Sequence, residues 1–390
     1  MRNPSPLPDL LTGCLLGGAI GDALGAPVEG LGLDQIRERY GGDGLTDYAE
    51  GSYGIGAVTD ETQLTLRVAE ALVRASIRER SKGIGGAAPG IVQMLCLEWL
   101  STQGVDMPPQ GSHHGWPFGN TAMHARRGHS AATVDALRRA AARQRPGVPL
   151  GTVAEPVNNS KGCAAVVRAA PCGFGTGSID SAFGMAERVA ALTHGHRTAH
   201  LAAGAFSATV WGLVRGAPLE QALSEGRGVL EDREGHEEVS RALDKAVSVA
   251  ARGVPTAADL AELGDGWTSE EALAVAVCVA LHADGPYAAE EGAQGTPATD
   301  RRALPKAGRR SLLLAVNHSG DSDSLGALCG NLIGARHGVH AFPGHWQSQL
   351  EVRDVAIRLA ADCALEYAPW PPDDSDFGGA HPSWSRRHSA

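Results

Sequence analysis

Apolar residues recur at helical spacing along most of this chain. Leu64, Val68 and Leu72 fall on one face, as do Val239, Leu243, Val247 and Ala250. Leu273, Val277 and Leu281 repeat the pattern, and so do Leu325, Leu328 and Leu332. Between 197 and 215, Leu201, Ala205 and Ala208 follow steps of four and three, Leu213 and Val214 lie beyond them, and the run stops near Gly216. A last long helix is predicted near 346–366, carrying Trp346, Leu350, Ile357 and Ala361, with Pro369 beyond its end. Alternating runs that would read as strands are almost absent. The stripes therefore predict core packing in a compact, all-α domain of roughly a dozen or more helices.

Polar, glycine-rich loops interrupt the stripes at 51–60, 108–121, 156–163 and 317–324. The stretch 284–308 reads as a surface excursion or a partly disordered segment, and the tail from Trp370 as irregular. No fixed-period repeat or strong linker divides the chain, so one domain is expected over 8–368, with an irregular tail over 369–390. Leu10 to Ile20 resembles a signal-peptide core. Arg2 is the one basic residue before it, however, and Asp22 follows at once, so it reads as a first core helix. No apolar run is expected to reach membrane-spanning length.

Composition sharpens this picture in three ways. Aromatic residues are scarce, at 5% of 390, which tilts the expectation further toward helix. Thirty-four basic against 44 acidic residues give a net charge of -10, with no long Lys/Arg run. A nucleic-acid groove or an anionic membrane face is not expected on such a chain. An acidic protein that binds an anion must supply local positive potential, and divalent metals are one source. The seven cysteines lack any CxxC pair and read as reduced, mostly buried thiols of a cytoplasmic protein.

Two acidic clusters, far apart in sequence, are the main candidates for chemistry. One is Thr59-Asp60-Glu61; the other is Asp321-Ser322-Asp323-Ser324. Each precedes an expected amphipathic helix and joins carboxylates to a hydroxyl, the hard-oxygen set suited to Mg²⁺ or Mn²⁺. Asp, Ser and Thr at such positions are also ordinary N-caps, and nothing in the spacing alone brings the clusters together. The segment GCLLGGAIGDALGAPVEG adds Asp22 and Glu29, and its glycines permit tight helix packing. Asp22 suits a helix end; Glu29, beyond Pro27, is a candidate mobile catalytic carboxylate. Gly119-Asn120-Thr121 and Asn158-Asn159-Ser160-Lys161-Gly162-Cys163, the latter followed by Arg168, could cradle a phosphate, with Lys161 adding a point charge. In Thr193-His194-Gly195-His196, His194 reads as a substrate contact and not as a metal ligand.

In this order the segments resemble the ADP-ribosylglycohydrolase family. GGAIGDALGAPVEG, VTDETQLTL, SKGCAAVVRAAP and AVNHSGDSDSLGALCGNLIGA carry the likeness most specifically; GNTAMHARRG and ALTHGHRTAHLAAGAF support it. The resemblance implies an orthogonal all-α bundle with two metal ions, usually Mg²⁺, at the base of an ADP-ribose cleft. It implies Thr59, Asp60, Glu61, Asp321, Asp323 and Ser324 as ligands, and places Glu29 on a mobile acidic loop. It also implies Ser160, Gly162 and Cys163 on a phosphate-cradling loop, with His194 near the ADP-ribose; Asp22, Asn120, Thr121 and Lys161 join them as candidate substrate contacts read from the residues themselves. Glu61 stands where a third-position Asp is more familiar, and Ser324 where Thr is common; both keep the ligand chemistry.

The expected activity is metal-dependent hydrolysis of the bond between ADP-ribose and a protein or small-molecule acceptor, arginine by default, with Glu29, Asp60 and Asp323 as the acting carboxylates. ADP-ribose would be the product, and a monomer is expected. Two other readings stay open at this level: a non-catalytic ADP-ribose binder or toxin blocker on the same fold, and a metal-dependent nucleotide phosphohydrolase.

Overall fold

The computed structural model describes residues 7–83, 85–108, 115–143, 148–284, 304–372 and 384–388. In chain order its helices begin with α1 (Leu7–Gly25), α2 (Leu33–Tyr40), α3 (Asp60–Lys82), α4 (Ala88–Thr102), α5 (Ala131–Ala141) and α6 (Ala164–Val167). They continue with α7 (Ile179–Ala191), α8 (Arg197–Leu213), α9 (Leu219–Glu231), α10 (Glu237–Ala250), α11 (Ala257–Ala261) and α12 (Ser269–Asp284). The last are α13 (Leu304–Val316), α14 (Ser322–His337), α15 (Gly344–Gln349), α16 (Arg353–Glu366) and α17 (Trp384–Arg387). Among the described residues no strand forms; an isolated antiparallel bridge joins Gly162 and Thr268. The fold is all-α, as expected.

Its centre is an antiparallel pair, α1 and α14, from opposite ends of the sequence. Glycine recurs every fourth residue on both: Gly13, Gly17 and Gly21 face Gly334, Gly330 and Gly326. A Cβ at any of these six would run into the partner's backbone, in most cases the facing carbonyl oxygen. Two backbones approach this closely only where side chains are missing. Asn331 seals the seam by donating its Nδ2 to the Cys14 carbonyl at 2.8 Å.

Both central helices are enclosed. Every residue of α14 from Ser322 to Ala335 is buried, so its leucine stripe is not one face of an amphipathic helix. A helix apolar on all sides belongs inside a large core. The first helix also corrects an expectation: its 19 residues are long and apolar enough to cross a membrane, yet 78% of that window lies buried within the protein. α3 and α16 pack on α1, and α12 and α13 on α14, with α7 to α10 forming a further layer around α8 and α12.

The helix expected over 346–366 is two helices. Leu350 between α15 and α16 is extended, at φ -69° and ψ 121°. There the Glu351 N–H leaves the helical ladder and donates to the Gly56 carbonyl at 3.1 Å. The break turns the Glu351 side chain toward the 51–59 loop. Of the expected excursion at 284–308, residues 285–303 lie outside the described residues, while α13 already begins at Leu304. Within the tail expected to be irregular, residues 373–383 and 389–390 are outside the described set. The turn α17 buries Trp384, whose Nε1 donates to Glu366 Oε2 at 3.1 Å.

Candidate metal centre

The first acidic cluster is shaped from outside. Asp22, fully buried near the end of α1, accepts the Thr59 N–H at 3.1 and 3.0 Å on its two oxygens and the Thr62 N–H at 3.1 Å. The Thr62 hydroxyl donates to it as well. The first N–H groups of a helix lack partners of their own, and here a carboxylate on another helix supplies one. Thr59, in extended conformation, is the N-cap of α3, its Oγ1 accepting the Glu61 N–H at 3.3 Å. Asp60 and Glu61 are thereby held in the first turn. Glu351 fixes the approach: Oε1 accepts the Val58 N–H at 2.8 Å, and Oε2 pairs with Arg127 at 2.9 Å. Arg127 also donates to the Tyr53 carbonyl and lies 5.2 Å from that ring's centre.

The second cluster begins α14 directly at the glycine seam. The Asp321 N–H donates to the Asp265 carbonyl at 3.0 Å, and the Ser324 N–H to Asp323 Oδ1 at 2.9 Å. Cys163 donates its thiol to Asp321 Oδ2 at 2.7 Å and stands 3.6 Å from Ser324 Oγ. The Glu29 loop is tied to the same place, since the Gly30 N–H donates to the Gly320 carbonyl and the Leu33 N–H to Ser319 Oγ. Glu29, Asp321 and Asp323 each offer a carboxylate oxygen within 4.8 Å of the other two. The Glu29 side chain remains exposed while its backbone is anchored.

Crowding these carboxylates has the electrostatic result that burial and like charge dictate. Burial first, and then Asp323, push the Asp22 carboxyl up to about 7 against the hydrogen bonds from Thr62 and Thr59. Asp323 and then burial push Glu29 up to about 7. Burial raises Asp60, Glu61 and Asp321 well above the carboxylate range, with Asp323 or Asp60 the next cause. Two buried oxygens, Asp60 Oδ2 and Glu61 Oε2, have no hydrogen-bond partner among the described residues. Orphaned carboxylate oxygens in so acidic a cluster are costly unless a cation meets them. Hydroxyls at Thr59 and Ser324 complete an oxygen-rich donor set, so these residues fit a hard divalent ion.

The buried guanidinium of Arg168 lies within electrostatic reach of Glu61 and Asp60. Burial lowers its pKa, with Cys96, Glu61, Cys172 and Asp60 opposing. Its Nη1 has no described partner, while Nη2 donates to Thr193 Oγ1. Thr193 Oγ1 in turn lies 2.9 Å from His194 Nδ1. His194 is fully buried, and burial followed by Arg168 holds its pKa well below the ordinary value. Its unpartnered Nε2 faces Gly162, where a Cβ would come within 3.2 Å. The structure thus brings His194 to the 158–163 loop. In that loop Asn158 Oδ1 accepts the Ser160 N–H, and Ser160 Oγ the Gly162 N–H.

Lys161 and the 119–121 turn sit differently. Lys161 Nζ pairs with Glu238 at 2.7 Å and with Glu270. Burial alone would lower its pKa; those two partners raise it and also neutralise the charge expected for a phosphate. Asn120 Oδ1 caps the Ala122 N–H, and its Nδ2 donates to the Glu351 carbonyl. With Trp116, Gly119 and Arg358, Asn120 and Thr121 line a separate cleft of about 540 Å³. Sequence reasoning did not find Glu351, Arg127 or Tyr53, and it named Arg168 only as a residue following the phosphate loop; a lone charged residue carries no signal when its partners lie 25 to nearly 300 residues away.

The sequence profile of the ADP-ribosylglycohydrolase family matches residues 3–373, nearly the whole chain. An uncharacterized protein of Archaeoglobus fulgidus is 25% identical over 359 residues, spanning 89% of this chain and 93% of that protein. The ADP-ribosyl-(dinitrogen reductase) glycohydrolase of Rhodospirillum rubrum is 41% identical over 58 residues, 15% of this chain and 20% of that enzyme. A solved structure described as an ADP-ribosylglycohydrolase-related protein complex superposes with a TM-score of 0.61 at 25% identity, covering 93% of this chain and 99% of that one.

Proposed function

The chain belongs to the ADP-ribosylglycohydrolase family, and from that premise we propose that it hydrolyses the glycosidic bond joining ADP-ribose to a modified acceptor. The arginine side chain is the default acceptor. The observation that carries this reading is the meeting of Glu29, Asp321 and Asp323 within 4.8 Å, beside the partnerless oxygens of Asp60 and Glu61.

Thr59, Asp60, Glu61, Asp321, Asp323 and Ser324 would hold divalent ions, Mg²⁺ by preference. Ions bound there would supply Lewis acidity toward a water and the ribose hydroxyls. Everything else falls to the chain. Glu29, exposed at the edge of the cluster and anchored through Gly30, exchanges the proton with the leaving group or the attacking water. As the bond to the anomeric carbon breaks, positive charge develops on the sugar, and the surrounding carboxylates stabilise it. His194, whose Nε2 has no described partner, faces the phosphate-bearing part of the ligand from beside the 158–163 loop. Asp22 holds the first turn of α3 in place without touching the substrate.

The test is incubation of the protein with ADP-ribosylated arginine, serine and nucleoside substrates, in Mg²⁺ and in EDTA, with chromatography of the products. Free ADP-ribose is expected only with metal. Released phosphate, or tight ADP-ribose binding without release from any substrate, would reject the proposal.

A further inference from the structure

We propose that Tyr53 forms the acceptor side of this centre, where its ring stacks on a flat, delocalised acceptor group, a guanidinium or a nucleobase, and so selects such acceptors over an aliphatic hydroxyl. The inference rests on the function proposed above for the place of ADP-ribose. It concerns what lies on the far side of the bond and not whether the bond is cut.

The first observation is position. Tyr53 and Ile55 are exposed large apolar side chains, 38% and 53% accessible, on the loop that leads into Thr59 and Asp60. A Cβ on Gly128 would come 3.5 Å from Asp60 Oδ1 and 3.6 Å from Tyr53 Oη. The phenol and the carboxylate therefore flank one small gap, which Gly128, at φ 93°, leaves open. The acids of the centre act on the phenol as well: burial first, then Glu29 and Asp60, raise its pKa, with Arg127 opposing.

The second observation is that the ring is held in place before any acceptor arrives. Gly51 packs on Pro27, two residues before Glu29, where a Cβ would come within 3.2 Å of the proline side chain. Gly56, at φ 68°, passes so close to the Gln349 carbonyl that no Cβ fits there. Between these anchors Arg127 donates to the Tyr53 carbonyl at 3.1 Å and lies 5.2 Å from the ring centre. Glu351 meets the Arg127 charge at 2.9 Å and also receives the Val58 N–H, so Tyr53 and the first acidic cluster share one frame. A side chain fixed in advance loses little entropy on binding. The third observation is the chemistry of the wall. An aromatic face attracts a guanidinium through its quadrupole and a nucleobase by stacking, whereas a serine side chain offers it neither charge nor ring.

The experiment titrates ADP-ribose and its arginine, nucleobase and serine conjugates into the full-length protein by calorimetry, in EDTA so that binding is read without turnover. The arginine or the nucleobase conjugate should bind about fivefold or more tighter than ADP-ribose, and whichever gains identifies the acceptor. The serine conjugate should show no such gain. Tyr53→Ala should erase the gain yet leave ADP-ribose affinity within about twofold, which also reports an intact fold. Tyr53→Phe should keep the gain, because the ring and not the hydroxyl makes the contact. An equal gain for the serine conjugate, no gain for either flat conjugate, or a gain that survives Tyr53→Ala would overturn the proposal. Failure of the glycohydrolase reading registers separately, as no release of ADP-ribose in Mg²⁺ whatever the binding.

Discussion

The two acidic loops look alike in sequence but are held in place by different means. The loop before α3 takes its shape from distant side chains: Asp22 receives the N–H groups of Thr59 and Thr62, and Glu351 that of Val58. The loop before α14 takes its shape mainly from backbone. Its helix lies in van der Waals contact with α1 through paired glycines, and Gly25 packs directly on Ser322 and Asp323. One half of the centre is therefore adjustable by hydrogen-bond chemistry, while the other moves only if the core moves.

The sharpest way to break the comparison is at the seam. Gly330→Leu drives a side chain into the Gly17 backbone and should destabilise the whole protein by about 3 kcal/mol or more, read from the urea midpoint. A near-normal midpoint would show that α1 and α14 can separate. Asp321→Ala should leave the far-ultraviolet circular dichroism intact and lower turnover by about a thousandfold or more, measured as ADP-ribose release. Retained turnover would remove Asp321 from the proposed ligand set. Asp22→Asn probes the adjustable half: Mg²⁺ affinity by calorimetry should weaken by about 10- to 100-fold with the fold unchanged.

The next effect concerns pH. Asp22 and Glu29 both stand at about 7 in the folded protein, above their ordinary values. Between about pH 4 and 7 the folded state therefore binds more protons than the unfolded state, and stability falls as pH rises. In EDTA the melting temperature should drop over this range; added Mg²⁺ should flatten the drop by meeting the ionised carboxylates. A melting temperature that climbs toward neutral pH in EDTA would contradict the crowding. The smallest effect is expected at Lys161. Its charge is already met by Glu238 and Glu270, so Lys161→Met should change KM for the ADP-ribosyl substrate by less than about threefold.

Much of this was legible before any coordinates. Local signals revealed the helices, the two acidic loops and the glycine spacing of α1, because each depends on residues within a few positions of one another. What escaped depends on partners far along the chain. The break at Leu350 exists because Glu351 answers to Gly56 and Val58, and no local pattern announces that. The enclosure of α14 follows from its pairing with α1, so its leucine stripe suggested a solvent face that is absent. Lys161 reads as a free cation until Glu238 and Glu270 arrive from α10 and α12. The tie between the Glu29 loop and the second acidic loop, Gly30 to Gly320, likewise spans nearly 300 residues and has no local signal.

The central pair also sets a timetable for synthesis. α1 leaves the ribosome roughly 300 residues before its partner α14, a delay of about 15–60 s at ordinary elongation rates. Throughout that interval a 19-residue helix with the length and apolarity of a membrane span has no glycine-lined surface to receive it. A nascent chain in this state is a substrate for whatever binds exposed apolar helices in the cell, and its release coincides with translation of the last acidic loop. The protein's core and its candidate metal centre are thus completed together, once α14 has been made.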